Sequence, residues 1–135
     1  MTKAERTQYI ADLKTAFPQR NFALTERQLR LLSLIACADG SGLTETEISK
    51  IIPYSNSVQR DREIAALQTE CHLIERAYFI GRRAYRVVDS SFMCAALNAL
   101  LYFPELVDSL RSLRRLGDSL RFNIVLRFAD GDKAF

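Results

Sequence analysis

The sequence predicts a mainly α fold with one small β-hairpin, an N-terminal helix and a C-terminal helical extension. Three observations lead there. Apolar residues recur three or four apart along most of the chain, Thr25/Gln28 and Thr44/Glu47 have the spacing of capping boxes, and only Leu73–Val88 is dense in aromatic and β-branched residues around a glycine-containing turn.

The elements follow in order. Ile10, Leu13 and Phe17 lie on one helical face between Lys3 and Phe17, and Pro18 stops the run. Thr25 opens a second helix whose buried stripe is Leu29, Leu32, Ile35 and Ala36, ending at Asp39-Gly40-Ser41-Gly42. Thr44 opens a third, with Ile48, Ile51 and Ile52 inward, which is barely two turns long and depends on packing. After the turn Pro53-Tyr54-Ser55-Asn56, a fourth helix from Ser57 to about Glu70 turns Val58, Ile64, Ala65, Leu67 and Cys71 inward and leaves Gln59, Arg60, Arg62 and Glu63 outward or towards its amino-terminal end. Leu73–Ile80 and Ala84–Val88 then form a two-stranded hairpin. Asp89-Ser90 offers a cap for the run Phe92–Phe103, which is apolar all round and so expected to be buried all round, by this domain or by a second copy. Pro104 restarts the chain into a helix striped by Leu106, Leu110 and Leu113 up to Gly117. From Phe122 to Phe128 the alternation favours a strand, closed by Asp130-Gly131-Asp132, although Phe122, Val125 and Leu126 also fit a helical face.

Composition narrows the function classes. A chain of 135 residues with 48% hydrophobic content can bury one core. No window is long and apolar enough to span a bilayer and the first residues lack the apolar core of a secretion signal, so a cytoplasmic protein without membrane contact is expected. Cys37, Cys71 and Cys94 are odd in number and set in apolar sequence, which suits reduced, buried thiols. The net charge of +3 is modest, but residues 55–88 hold six basic against four acidic side chains, while residues 89–135 hold six of each.

Three helices followed by a hairpin with Gly81-Arg82-Arg83 at its tip resemble the winged helix-turn-helix family of DNA-binding transcriptional regulators. The resemblance covers residues 25–88, and phrases such as Gly42-Leu43-Thr44-Glu45-Thr46-Glu47-Ile48-Ser49 and Leu73-Ile74-Glu75-Arg76 look like family sequence. One departure stands at Cys71-His72, where a glycine often closes the recognition helix. The resemblance implies an organisation of residues 1–24 as N-terminal helix, 25–88 as winged helix-turn-helix and 89–135 as a C-terminal helical and dimerisation extension on the same core.

It also implies a partner, double-stranded DNA, and the all-apolar run Phe92–Phe103 adds the expectation that a homodimer binds it. Ser55, Asn56, Ser57, Gln59, Arg60 and Arg62 would serve the major groove, with Arg60 first for a base contact, and Arg82 and Arg83 the minor groove or backbone. Phe92, Leu97, Leu100 and Leu101 would form the dimer contact.

Plainer readings stand beside these. A mixed run such as Arg60-Asp61-Arg62-Glu63 is usually a solvated helix face, and Arg76 and Arg86 have an acidic neighbour in Glu75. The weak net charge fits an adaptor of phage, plasmid or secretion systems whose winged helix docks a protein. Cys71-His72 suggests a metal, a nucleophile or a redox sensor, but zinc wants three or four ligands and the other thiols are distant. Asp39-Gly40-Ser41-Gly42 begins like a calcium loop, yet Leu43 stands where an oxygen ligand is needed. With no phosphate cradle, serine elbow or zinc-hydrolase helix, neither an enzyme nor a cofactor is expected.

Overall fold

The structure, a computed structural model, describes residues 1–20, 22–38, 42–79 and 82–113. Among the described residues six α-helices flank a small antiparallel sheet: α1 (Lys3–Ala16), α2 (Glu26–Cys37), β1 (Leu43–Thr44), α3 (Glu45–Ile51), α4 (Ser57–Ala65), β2 (Ile74–Phe79), β3 (Arg82–Val87), α5 (Asp89–Tyr102) and α6 (Pro104–Leu113). This is a mainly helical fold of winged-helix-type topology, with an N-terminal helix and a C-terminal helical pair. The residues from 118 onward, where the sequence suggests a strand, lie outside the described residues, as do Asp39-Gly40-Ser41.

Local chemistry starts the helices where the sequence predicts. At Thr25 and Thr44 the hydroxyl accepts from the amide three residues on, and the Gln28 and Glu47 side chains accept from the capping residue's own amide. Thr2 and Glu5 make a third such box at α1. At α5 the expected cap moves by one residue. The helix already begins at Asp89, Val88 is the capping residue, and no side chain caps it.

α2 is the centre of the molecule. Leu31, Ser33 and Leu34 are buried along with the predicted stripe, because α5, α6 and β3 pack on the helix and Tyr9 of α1 reaches Ser33. Its one buried polar side chain is satisfied: Ser33 Oγ donates to Leu29 O and shares a 2.9 Å hydrogen bond with the buried Tyr9 hydroxyl of α1. Burial pushes the Tyr9 phenol far up, so it stays a neutral partner. α5 departs from the expectation of burial all round. Phe92, Ala95, Ala96, Ala99 and Asn98 face inward, whereas Met93, Leu97 and Leu101 are exposed at one-turn spacing. α5 turns into α6 through a bend of 101° at Phe103-Pro104, and the buried Leu106, Val107 and Leu110 return along the core.

The sheet has three strands in the order β1-β3-β2, not the two of the predicted hairpin. Leu43 and Thr44 pair with Tyr85 and Ala84, and so tie the entry of α3 to the wing. Gly42 makes this approach possible. Its φ is +85°, and a Cβ there would lie 2.7 Å from Tyr85 O and 2.9 Å from Ala77 Cβ.

The exit from α4 answers the missing glycine. α4 widens over Ala66–Glu70 into one π-type turn, Leu73 N donates to Leu67 O, and His72 adopts φ +54°. His72 thus holds the left-handed position that favours glycine, with the wrap-around amide bond that usually closes a helix.

Two stability predictions follow from these backbone positions. Gly42→Ala should cost about 2–3 kcal/mol through overpacking and positive-φ strain, seen as a lower midpoint in chemical unfolding. His72→Gly should raise stability by roughly 1 kcal/mol, because only the left-handed penalty is removed; an unchanged or lower midpoint would contradict the role given to His72.

Candidate nucleic-acid interface

The turn between α3 and α4 is built from the residues that sequence reasoning singled out, but several of them are engaged within the protein. Asn56 caps α4, its Oδ1 accepting from Gln59 N at 2.8 Å, and Gln59 Oε1 accepts in return from Ser55 N at 3.0 Å. Asn56 and Gln59 therefore fix the start of the helix. Ser55 and Ser57 are exposed beside them.

Arg60 lies along the α3 side of the turn and does not extend into solvent. Its side chain is only 16% exposed. Nη1 donates to Ser49 Oγ at 3.0 Å, Nη2 to Glu45 Oε2 at 3.4 Å and Nε to Asp61 Oδ1 at 3.0 Å. Glu45 also accepts at Oε1 from the Tyr85 hydroxyl of β3 at 3.1 Å. One carboxylate thus joins α3, α4 and the wing. Burial, with the Glu45 carboxylate beside it, pushes the Tyr85 phenol up, while Arg83 and Arg76 pull it down.

The wing register explains why those two arginines are near. Arg76 lies opposite Tyr85 and Tyr78 opposite Arg83, so strand alternation puts Arg76, Arg83 and Tyr85 on one face of the hairpin. Arg76 and Arg83 are exposed, as is Arg62 on α4, and none of the three forms an ion pair among the described residues. Arg86 is on the other face and pairs with Glu75 at 2.9 Å. Arg82 pairs with Phe79 at the end of the ribbon.

The outward face of α4 also differs from the predicted one. Ile64 and Leu67 are buried, but Val58 is 62% exposed and Ala65 is exposed as well. At 3.6 residues per turn, Val58 is separated from Ile64 by roughly 120° around the helix and points away from the face that Ile64 buries. The exposed face therefore carries Val58, Asp61, Arg62, Ala65 and Thr69. Sequence reading missed this face because it took apolar character as a sign of burial.

Behind the turn, Arg27 of α2 stacks over the Tyr54 ring, 5.2 Å from its centroid, and lies 3.9 Å from Glu63. Burial, with Glu63 adding to it, pushes the Tyr54 phenol up to about 12.

The cysteines and His72 form no constellation. Burial raises the thiols of Cys37 to about 12 and Cys94 to about 11 and also pushes Cys71 up, away from a reactive thiolate. Among the described residues no group of three or more His, Cys, Asp or Glu side chains could hold a metal ion. No single described helix is long and apolar enough to cross a membrane.

Of the dimerisation candidates, Phe92 is a core residue at 6% exposure, Leu100 is half-buried, and Leu97 and Leu101 are exposed at 38% and 68%. Comparison with protein-family models, with curated proteins and with solved structures finds no match for this chain.

Proposed function

We propose that the chain is a winged-helix regulator that binds double-stranded DNA in a sequence-specific manner as a homodimer. The observation that carries this reading is the Glu45 junction, which sets the start of α4 beside the wing face bearing Arg76 and Arg83. α4 would enter the major groove with Ser55, Ser57 and Arg62 towards phosphates and base edges, and with Val58 and Ala65 against thymine methyl groups. Arg83 and Arg76, with Arg82 at the ribbon end, would meet the neighbouring backbone or minor groove. The exposed Leu97 and Leu101 would form the two-fold contact, setting two recognition helices about 34 Å apart to match a palindromic site.

A second reading, the protein-docking adaptor, draws on Val58, an apolar side chain in the centre of the same surface, and on the neutralisation of Arg60 and Arg86 by carboxylates. Salt dependence separates the two. A DNA-binding protein should hold random duplex with an affinity that falls steeply as salt rises, and Arg62→Ala or Arg83→Ala should each lower the slope of log affinity against log salt by about 0.9, measured by fluorescence anisotropy. Negligible binding by wild type and both variants at low salt favours the adaptor.

The dimer has its own test. Light scattering should give twice the chain mass for the wild type and one chain mass for Leu97→Glu/Leu101→Glu, with circular dichroism showing that the variant keeps its helical content. A wild type that is monomeric at micromolar concentration removes the homodimer.

A further inference from the structure

Arg60 has the side-chain chemistry to read a guanine, yet all three of its donor nitrogens that bond to protein are occupied by Glu45, Asp61 and Ser49. We infer that Glu45 and Asp61 form a carboxylate latch that holds Arg60 back and releases it only on a cognate DNA site, making the two acids specificity-determining positioning residues. The inference rests on the DNA-binding reading above.

The geometry suits an exchange. Arg60 lies on the first turn of α4, next to the exposed Ser57, Asp61 and Arg62, so a change of side-chain rotamer suffices to carry its guanidinium from α3 to the outer surface. A guanidinium that leaves two carboxylates has to regain paired acceptors, and O6 and N7 of guanine offer such a pair at a fixed base position within reach of the start of α4. At other sequences Arg60 would stay latched with its charge taken up by Glu45 and Asp61, and random DNA is disfavoured by the withheld cation. Glu45 has a further tie to the Tyr85 hydroxyl, which keeps the carboxylate in place when Arg60 leaves.

The test compares binding of a random-sequence duplex with binding of the duplex enriched by selection from a random pool. Glu45→Gln keeps an oxygen for Tyr85 but removes the charge that faces Arg60, and Asp61→Asn removes the other anion. Each should raise affinity for random duplex about tenfold or more, the size expected when a charge-assisted hydrogen bond no longer competes, and each should narrow the ratio of selected to random binding.

General loss of negative charge would also strengthen binding, so both substitutions are repeated with Arg60→Ala. A latch predicts that the gain disappears in that background; a gain of equal size there overturns it. Circular dichroism and unfolding midpoints show that the variants fold, and because Asp61 is exposed its variant keeps the test open if Glu45→Gln loses stability. If the wild type binds duplex and Arg83→Ala weakens it while neither acid variant matters, the latch falls and the DNA reading stands. If no protein in the set binds duplex at low salt, both fall.

Discussion

Glu45 accepts a phenol from the wing and a guanidinium from α4 while standing in the first turn of α3, so the relative placement of three elements converges on one carboxylate. A half-buried carboxylate is costly to leave without partners, so losing one contact weakens the reason for the others. The short α3 benefits most. At seven residues it is too short to persist alone, and the capping box at Thr44, the β1 pairing and the Glu45 contacts hold it from the same end.

This arrangement changes what the arginines near the turn can do. A guanidinium held by two carboxylates and a hydroxyl organises the protein, whereas one exposed to solvent adds electrostatic attraction for a polyanion. Arg60 belongs to the first kind, and Arg62, Arg76 and Arg83 to the second. Asn56 and Gln59 divide in the same way: their amide oxygens close the start of α4. A surface with fewer unengaged polar groups than the sequence implies leaves more of its contact chemistry to side chains such as Val58 and Ala65, and to shape.

Much of the fold was legible because its signals are local. Thr-x-x-Gln and Thr-x-x-Glu satisfy helix amides through contacts only three residues long, and the aromatic, β-branched composition of Leu73–Val88 marks strands whatever surrounds them. The misreadings share a non-local cause. β1 is two residues long and exists only because β3 lies beside it. Val58 is as apolar as Ile64, and its exposure follows from which side of α4 meets the core. α5 is apolar on every side, so periodicity could not say which residues, Phe92 or Leu97, would face outward.

Two groups illustrate the limit at single residues. Nothing local announces that His72 will take a left-handed conformation, since that is imposed by a chain that must leave α4 and enter β2 within three residues. Nothing local pairs Arg60 with a carboxylate fifteen residues earlier rather than leaving it in solvent. By itself the sequence determined the order of helices, their starting points and the presence of a basic-tipped hairpin, because capping and strand propensity act over a few residues. The tertiary structure decided which arginines are exposed, which apolar side chains reach the surface and how the hairpin meets α4, because each depends on groups that only folding brings within hydrogen-bonding or van der Waals distance.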